Sequence, residues 1–156
     1  MASRQAQTQR VHQATIDAPH AFVASLGLPS TLSDVVASIK DAQKLLDLGD
    51  NWDGDGSPGY AERTWHRAVQ LVAQSSLGFW QATQSVPPAP AITPGPDGSI
   101  DMVWRAGDRG LFVNIPEAPD NIATFYGKDR RQEHDFIQGE LDLSHESAWI
   151  LAWLTS

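Results

Sequence analysis

SIDMVWRAGDRGLFVNI, residues 99–115, changes the period of the chain. Ile100, Met102 and Trp104 alternate with Asp101, Val103 and Arg105, and Leu111, Val113 and Ile115 alternate with Phe112 and Asn114. A period of two sends successive side chains to opposite faces of a pleated strand, so each half reads as a strand with one apolar face. The AGDRG between them, 106–110, has the composition of a hairpin turn. Helices on one face only would leave an aromatic patch on the other, and Phe112 and Phe125 are the residues expected to form it, beside Asn114.

Downstream the pattern repeats. PEAPDN (116–121) turns, 122–126 reads as a third strand, GKDRRQ (127–132) turns again, and 133–141 reads as a fourth. That last strand is more polar, as suits an edge. Short connections between strands favour an antiparallel meander. Ser144 is placed to cap a short final helix over 145–154, with Trp149, Ile150, Trp153 and Leu154 along one side.

Upstream the period is helical. Leu32, Val35, Ile39, Ala42 and Leu46 recur at steps of three and four, which predicts a helix over 32–48 with Gly49 as its stop. Ser57 followed by Pro58 reads as a helix start, and Ala61, Trp65, Ala68, Val69 and Val72 as the stripe of a second helix over 58–77. Residues 78–98, GFWQATQSVPPAPAITPGPDG, are rich in proline and read as an extended crossover from helices to sheet. Residues 1–28 read as a weakly ordered tail. The expected architecture is therefore α+β: two N-terminal helices and a short C-terminal one on a four-stranded antiparallel meander, with 29–156 as a single domain.

Composition narrows the function classes. The net charge of −8 argues against direct nucleic-acid binding, which depends on Lys and Arg neutralising phosphates. It leaves a basic protein partner, a cation, or mere solubility. With Cys 0, disulfide and thiolate chemistry are excluded, and a reducing cytoplasm is the expected location. No apolar run has transmembrane length, so no membrane role is expected.

The polar stretch NWDGDGSPGY, 51–60, admits three readings. The first is a structural corner: Gly54 and Gly56 supply unusual backbone angles, Asp53 and Ser57 satisfy free amides, and Trp52 folds back as a plug that can also meet a partner. The second is a single calcium site. Asn51, Asp53, Asp55, Ser57 and Glu62 fall at oxygen-donor positions of an EF-hand loop, with Gly56 at its sharp turn. Asn51 removes a charge from the first position, and Pro58 removes the amide that would pair with a second loop. The third is a phosphoester hydrolase using Asp53 as nucleophile and Asp55 as acid/base, a motif that belongs after a buried parallel strand. The corner is preferred, with calcium as the alternative. No HExxH, GxSxG, P-loop or GxGxxG occurs.

The NWDGDGSPGY loop, the Pro-rich crossover and PGPDGSIDMVWRAGDRGLFVNI together resemble an uncharacterised family of small bacterial proteins. Its marks are a WDGxG(A/S) loop and a PxxDGxIxxxW strand segment. The resemblance spans about residues 45–141 and rests on Trp52, Asp53, Gly54, Gly56, Asp97, Gly98, Ile100 and Trp104. It implies no established activity. It implies a role of the antitoxin, immunity or anti-defence type. With no catalytic constellation, an acidic charge and spare aromatics on the sheet, the expectation is a non-enzymatic, cytoplasmic binding protein that occupies a protein partner.

Overall fold

The computed structural model describes residues 18–156. Helix α1 spans 18–25. Helix α2 (Ser33–Asp41) is entered by a 3₁₀ turn at Ser30–Leu32 and runs out through another at Ala42–Asp47. A long helix α3 (Glu62–Thr83) follows. Then come β1 (Ala91–Pro94), a turn at Pro96–Gly98, β2 (Ile100–Ala106), β3 (Arg109–Ile115), β4 (Ala123–Asp129), β5 (Phe136–Leu141) and α4 (Ala148–Thr155). The five strands lie in chain order, β1-β2-β3-β4-β5, and every neighbouring pair is antiparallel. The fold is α+β, with four helices and five strands among the described residues where the sequence predicts three and four.

One face of the sheet makes the core. Ile100, Met102, Trp104, Leu111, Val113 and Ile115 are buried, as the alternation predicts. They meet Trp65, Ala68, Val69 and Val72 of α3 and Ile150, Leu151 and Leu154 of α4 within one hydrophobic cluster. Each such side chain removed from water stabilises by about 1.5–3 kcal/mol, against which chain ordering must be set.

The differences from expectation have local causes. The extra strand is β1. Its Pro94 and the neighbouring Pro96 read as strand breakers, but β1 pairs only with β2, and proline is tolerated on an edge. The crossover therefore shrinks to 84–90.

Helix α3 starts four residues later than predicted and ends six later. Ser57 and Pro58 do not start it, because Ser57 Oγ donates to Asp53 Oδ2 and Ala61 is the N-cap in extended backbone. At the other end Gly78 is no stop. A Cβ there would lie 3.1 Å from Ala148 Cβ, so the glycine lets α4 approach α3 closely. The helix ends at Gln84, left-handed at φ 58°, whose amide donates to Trp80 O at 2.8 Å.

Helix α4 starts at Ala148, with Ser147 rather than Ser144 at its N-cap. Ser144 is drawn instead to Asp142, donating to its Oδ1 at 2.5 Å. Of the expected tail, 1–17 lies outside the described residues. Residues 18–25 are helical, with Val23 buried and Phe22 stacked on His66 at 4.0 Å. Their apolar turn is too short to show a period. Among the described residues, no helix is long and apolar enough to cross a membrane.

Candidate functional site

The corner between α2 and α3 satisfies itself. Asn51, Gly54 and Gly56 take positive φ of 60°, 80° and 85°, a run that needs short polar or glycine side chains. Asp53 Oδ1 accepts from the amides of Asp55 at 3.0 Å and Ser57 at 3.2 Å, while its Oδ2 takes the Ser57 hydroxyl. Asn51 Oδ1 accepts from Gly56 N at 2.7 Å, and Asp50 Oδ1 from Gly59 N at 2.8 Å. The Ser57 hydroxyl first, then the Asp55 amide, holds the Asp53 carboxyl below its ordinary range.

Those bonds bear on the two chemical readings. Asp53 spends both oxygens on the loop, and Asn51 spends its side-chain oxygen there too. Glu62 opens α3 with Oε1 3.5 Å from His66 Nε2. Among the described residues, no three His, Asp or Glu side chains stand together so as to hold a metal. Calcium therefore draws no support from the placement of Asn51, Asp53, Asp55, Ser57 and Glu62. Asp53 follows a helical turn rather than the buried strand that an aspartate nucleophile requires.

Trp52 is no buried plug. It is 37% exposed, its Nε1 donates to Pro58 O at 3.2 Å, and its ring lies 6.4 Å from that of Tyr60. Tyr60 in turn donates its hydroxyl to Gly95 O at 2.9 Å. A Cβ at Gly98 would lie 3.6 Å from Pro58 Cγ. The two distinctive stretches, 51–60 and 95–104, thus meet: the corner is clasped to the turn that launches β2.

The second region is the face of the sheet that no helix covers among the described residues, the helix-free face. The register aligns Ala91, Val103, Phe112, Tyr126 and Gln138 in one cross-strand row. Phe112 is 39% exposed and Tyr126 43%. On one side runs a row of Arg105, Gly110, Lys128 and Phe136. Phe136 is 49% exposed and stacks on Tyr126 with ring centroids 6.3 Å apart. On the other side run Thr93, Asp101, Asn114, Thr124 and Glu140. Asn114 Nδ2 donates to Asp101 Oδ1 at 2.7 Å and to Ser99 Oγ at 2.9 Å.

Phe125 is not part of this face. Phe112 pairs with Tyr126, so alternation turns Phe125 inward. It is buried and meets Trp149 edge-on at 5.3 Å. Tyr126 and Phe136 are the aromatics that sequence reasoning missed. Fixing the register of β3 against β4 would have found Tyr126. The seven-residue connection between those strands, 116–122, leaves that register open.

A Ser-His-Asp grouping at 142–145 does not form a catalytic relay. His145 Nδ1 lies 2.8 Å from Asp142 Oδ2 and 3.5 Å from Ser144 Oγ. A relay needs the acid and the nucleophile on different ring nitrogens, and here both face the same one.

Arg109 forms a polar clasp at the far end of the sheet. Its guanidinium reaches Asp129 Oδ2 at 3.3 Å, Asp135 Oδ2 at 3.1 Å, and Trp153 O and Ser156 Oγ at 2.5 Å each. It also lies over the Trp153 ring at 4.8 Å. This ties α4 to β3, β4 and the turn before β5.

No family model, no curated protein and no solved structure matches the chain.

Proposed function

We propose that this chain is a non-enzymatic, acidic protein-binding module whose working surface is the helix-free face of the sheet. One observation carries the reading: among the described residues, Phe112, Tyr126 and Phe136 stand exposed together on the sheet face that no helix covers. Apolar aromatics gathered on a polar-rimmed face mark interaction surfaces more often than scattered ones do. The corner serves as scaffold, since its carboxylates are turned on its own amides. Its task is occupation of a protein partner, of the antitoxin, immunity or anti-defence type that the resemblance implies, in a reducing cytoplasm.

The test is affinity capture from cells of the native source with three baits: wild type, Phe112→Asp/Tyr126→Asp, and Asp53→Asn as a corner control. A partner retained by wild type and Asp53→Asn but lost from the folded double variant supports the reading. Equal retention by all three, or a partner lost only with the corner variant, overturns it.

A further inference from the structure

We infer that, until a protein partner displaces it, the occupant of the helix-free face is a second copy of this chain, packed sheet to sheet about a two-fold axis that runs along the Phe112–Tyr126 row. This deepens the protein-binding reading above and rests on it. A row with Phe112 and Tyr126 lies in the middle, Arg105 and Lys128 lie on one side with Phe136 beyond them on β5, and Asp101 and Glu140 lie on the other. The arrangement is polar across the strands and apolar along its centre.

Two identical sheets can meet face to face about a two-fold axis in either of two main directions. With the axis along the strands, each row keeps its side, and Arg105 and Lys128 face the same cations of the other copy. With the axis across the strands, along the aromatic row, the two flanking rows exchange. Arg105 then faces Asp101 of the second copy on the equivalent strand. Lys128, on β4, faces Thr124 of the second copy with Glu140 one strand away, within reach of a lysine stem. Phe112 and Tyr126 lie on the axis and meet their own copies, as an isologous interface requires. The charge rows therefore select one of the two packings. It is the aligned packing in which sheets interleave side chains about 10 Å apart.

The size of the face is adequate for this. Five strands about 4.8 Å apart and roughly 20 Å long give roughly 500 Å² per copy. Both copies together bury roughly 1,000 Å², at the lower bound for a specific interface. The complex is therefore expected to be reversible, forming at tens of micromolar or above by order of magnitude. The copies each carry net charge −8, so long-range repulsion opposes assembly, and the local pairs and aromatic burial must exceed it.

Complementary charge reversal separates this geometry from any other dimer and from misfolding. Arg105→Asp sets acid against Asp101 of the second copy, and Asp101→Arg sets cation against Arg105. Each variant alone is expected to be a monomer. In an equal mixture, the Arg105→Asp chain presents acid at 105 to the arginine at 101 of the other, and its own Asp101 meets the other's Arg105. Both contacts are restored, and only the mixed dimer forms.

The measurement is sedimentation velocity from about 5 to about 500 µM, with a fluorophore on one variant. The expected results are a wild-type species of twice the 17.0 kDa chain mass, single variants weakened at least tenfold, and recovery in the mixture. A wild-type dimer that survives both single reversals, or a mixture that stays monomeric, overturns the inference. Monomeric wild type throughout that range also overturns it. If such a monomer still captures a partner through Phe112 and Tyr126, the protein-binding reading stands; if it captures nothing, both fall.

Discussion

The Tyr60 hydroxyl donates to the Gly95 carbonyl at 2.9 Å, joining the end of the helical corner to the entrance of the sheet. Burial first, and the nearby Asp101 charge second, push the phenol above its ordinary range, so it stays a neutral donor at any physiological pH.

Removing that donor is the cleanest test of the clasp. Tyr60→Phe keeps the ring beside Trp52 and loses one half-buried hydrogen bond, an expected cost of about 1 kcal/mol. In a chain of this size, a melting midpoint lowered by about 2–4 °C would follow. Gly95→Ala should cost more, because a Cβ there would collide with Ser99 Oγ and lie 2.9 Å from Asp101 Oδ1. Differential scanning calorimetry of both variants checks the order; a Gly95→Ala protein as stable as wild type would dissolve the argument.

Asp53 gives the corner a pH signature. Its carboxyl is held below the ordinary 3.8, so the folded chain keeps it ionised after the unfolded chain has bound a proton. The stabilisation is therefore complete above the unfolded value and is lost as pH falls through the folded one. The stability gap between wild type and Asp53→Asn is expected to be constant from about pH 8 to about pH 5 and to close below about pH 4. Part of the acid sensitivity should persist in the variant. Asp129 and Asp142 are held low as well, first by the Arg131 amide and the Ser144 hydroxyl respectively. Urea titrations at a series of pH values report the gap directly, and a gap independent of pH would remove Asp53 from the account.

Arg109 is expected to be the costliest surface-reaching side chain to remove. Arg109→Ala leaves Asp129 and Asp135 without their shared cation and strips α4 of its link at Trp153 O. A loss toward the upper end of the ordinary range of about 0.5–3 kcal/mol for a destabilising single substitution is expected. Arg109→Lys should recover less than half of it, since an ammonium cannot span the carboxylates and stack on Trp153 together. Equilibrium denaturation of the three proteins, read by tryptophan fluorescence, decides the matter.

The strands β2 and β3 were legible because Ile100, Met102 and Trp104 alternate on one and Leu111, Val113 and Ile115 on the other, and burial on one face enforces that period. The same logic failed at β1. Four residues ending in Pro94 carry too little pattern to outweigh the proline signal, and only the pairing with Val103, Met102, Asp101 and Ile100 makes them a strand. Helix α3 was legible in its stripe and illegible at its ends. Ser57 is a good cap by local chemistry, but Asp53 competes for its hydroxyl. Gly78 is a good stop by propensity, but the contact with Ala148 outweighs that. At the candidate site, Phe112 could be placed from its own strand, whereas Phe125 and Tyr126 depended on a register between strands that no single strand encodes. The clasp of Tyr60 on Gly95 bridges 35 residues, and nothing local announces it.

The order of elements also constrains how the core can be completed. Strands β1 to β5 follow one another as neighbours, so the sheet can assemble hairpin by hairpin from nearby contacts. The lid over its helix side cannot, because Ile150, Leu151 and Leu154 come from α4, after the last strand, and α4 must return to sit beside α3, made before the first. During synthesis, α3 and the emerging meander therefore hold an uncapped apolar surface until α4 is released. The close approach of α4 to α3 at Gly78 and Ala148 is thus the last layer contact that chain order allows.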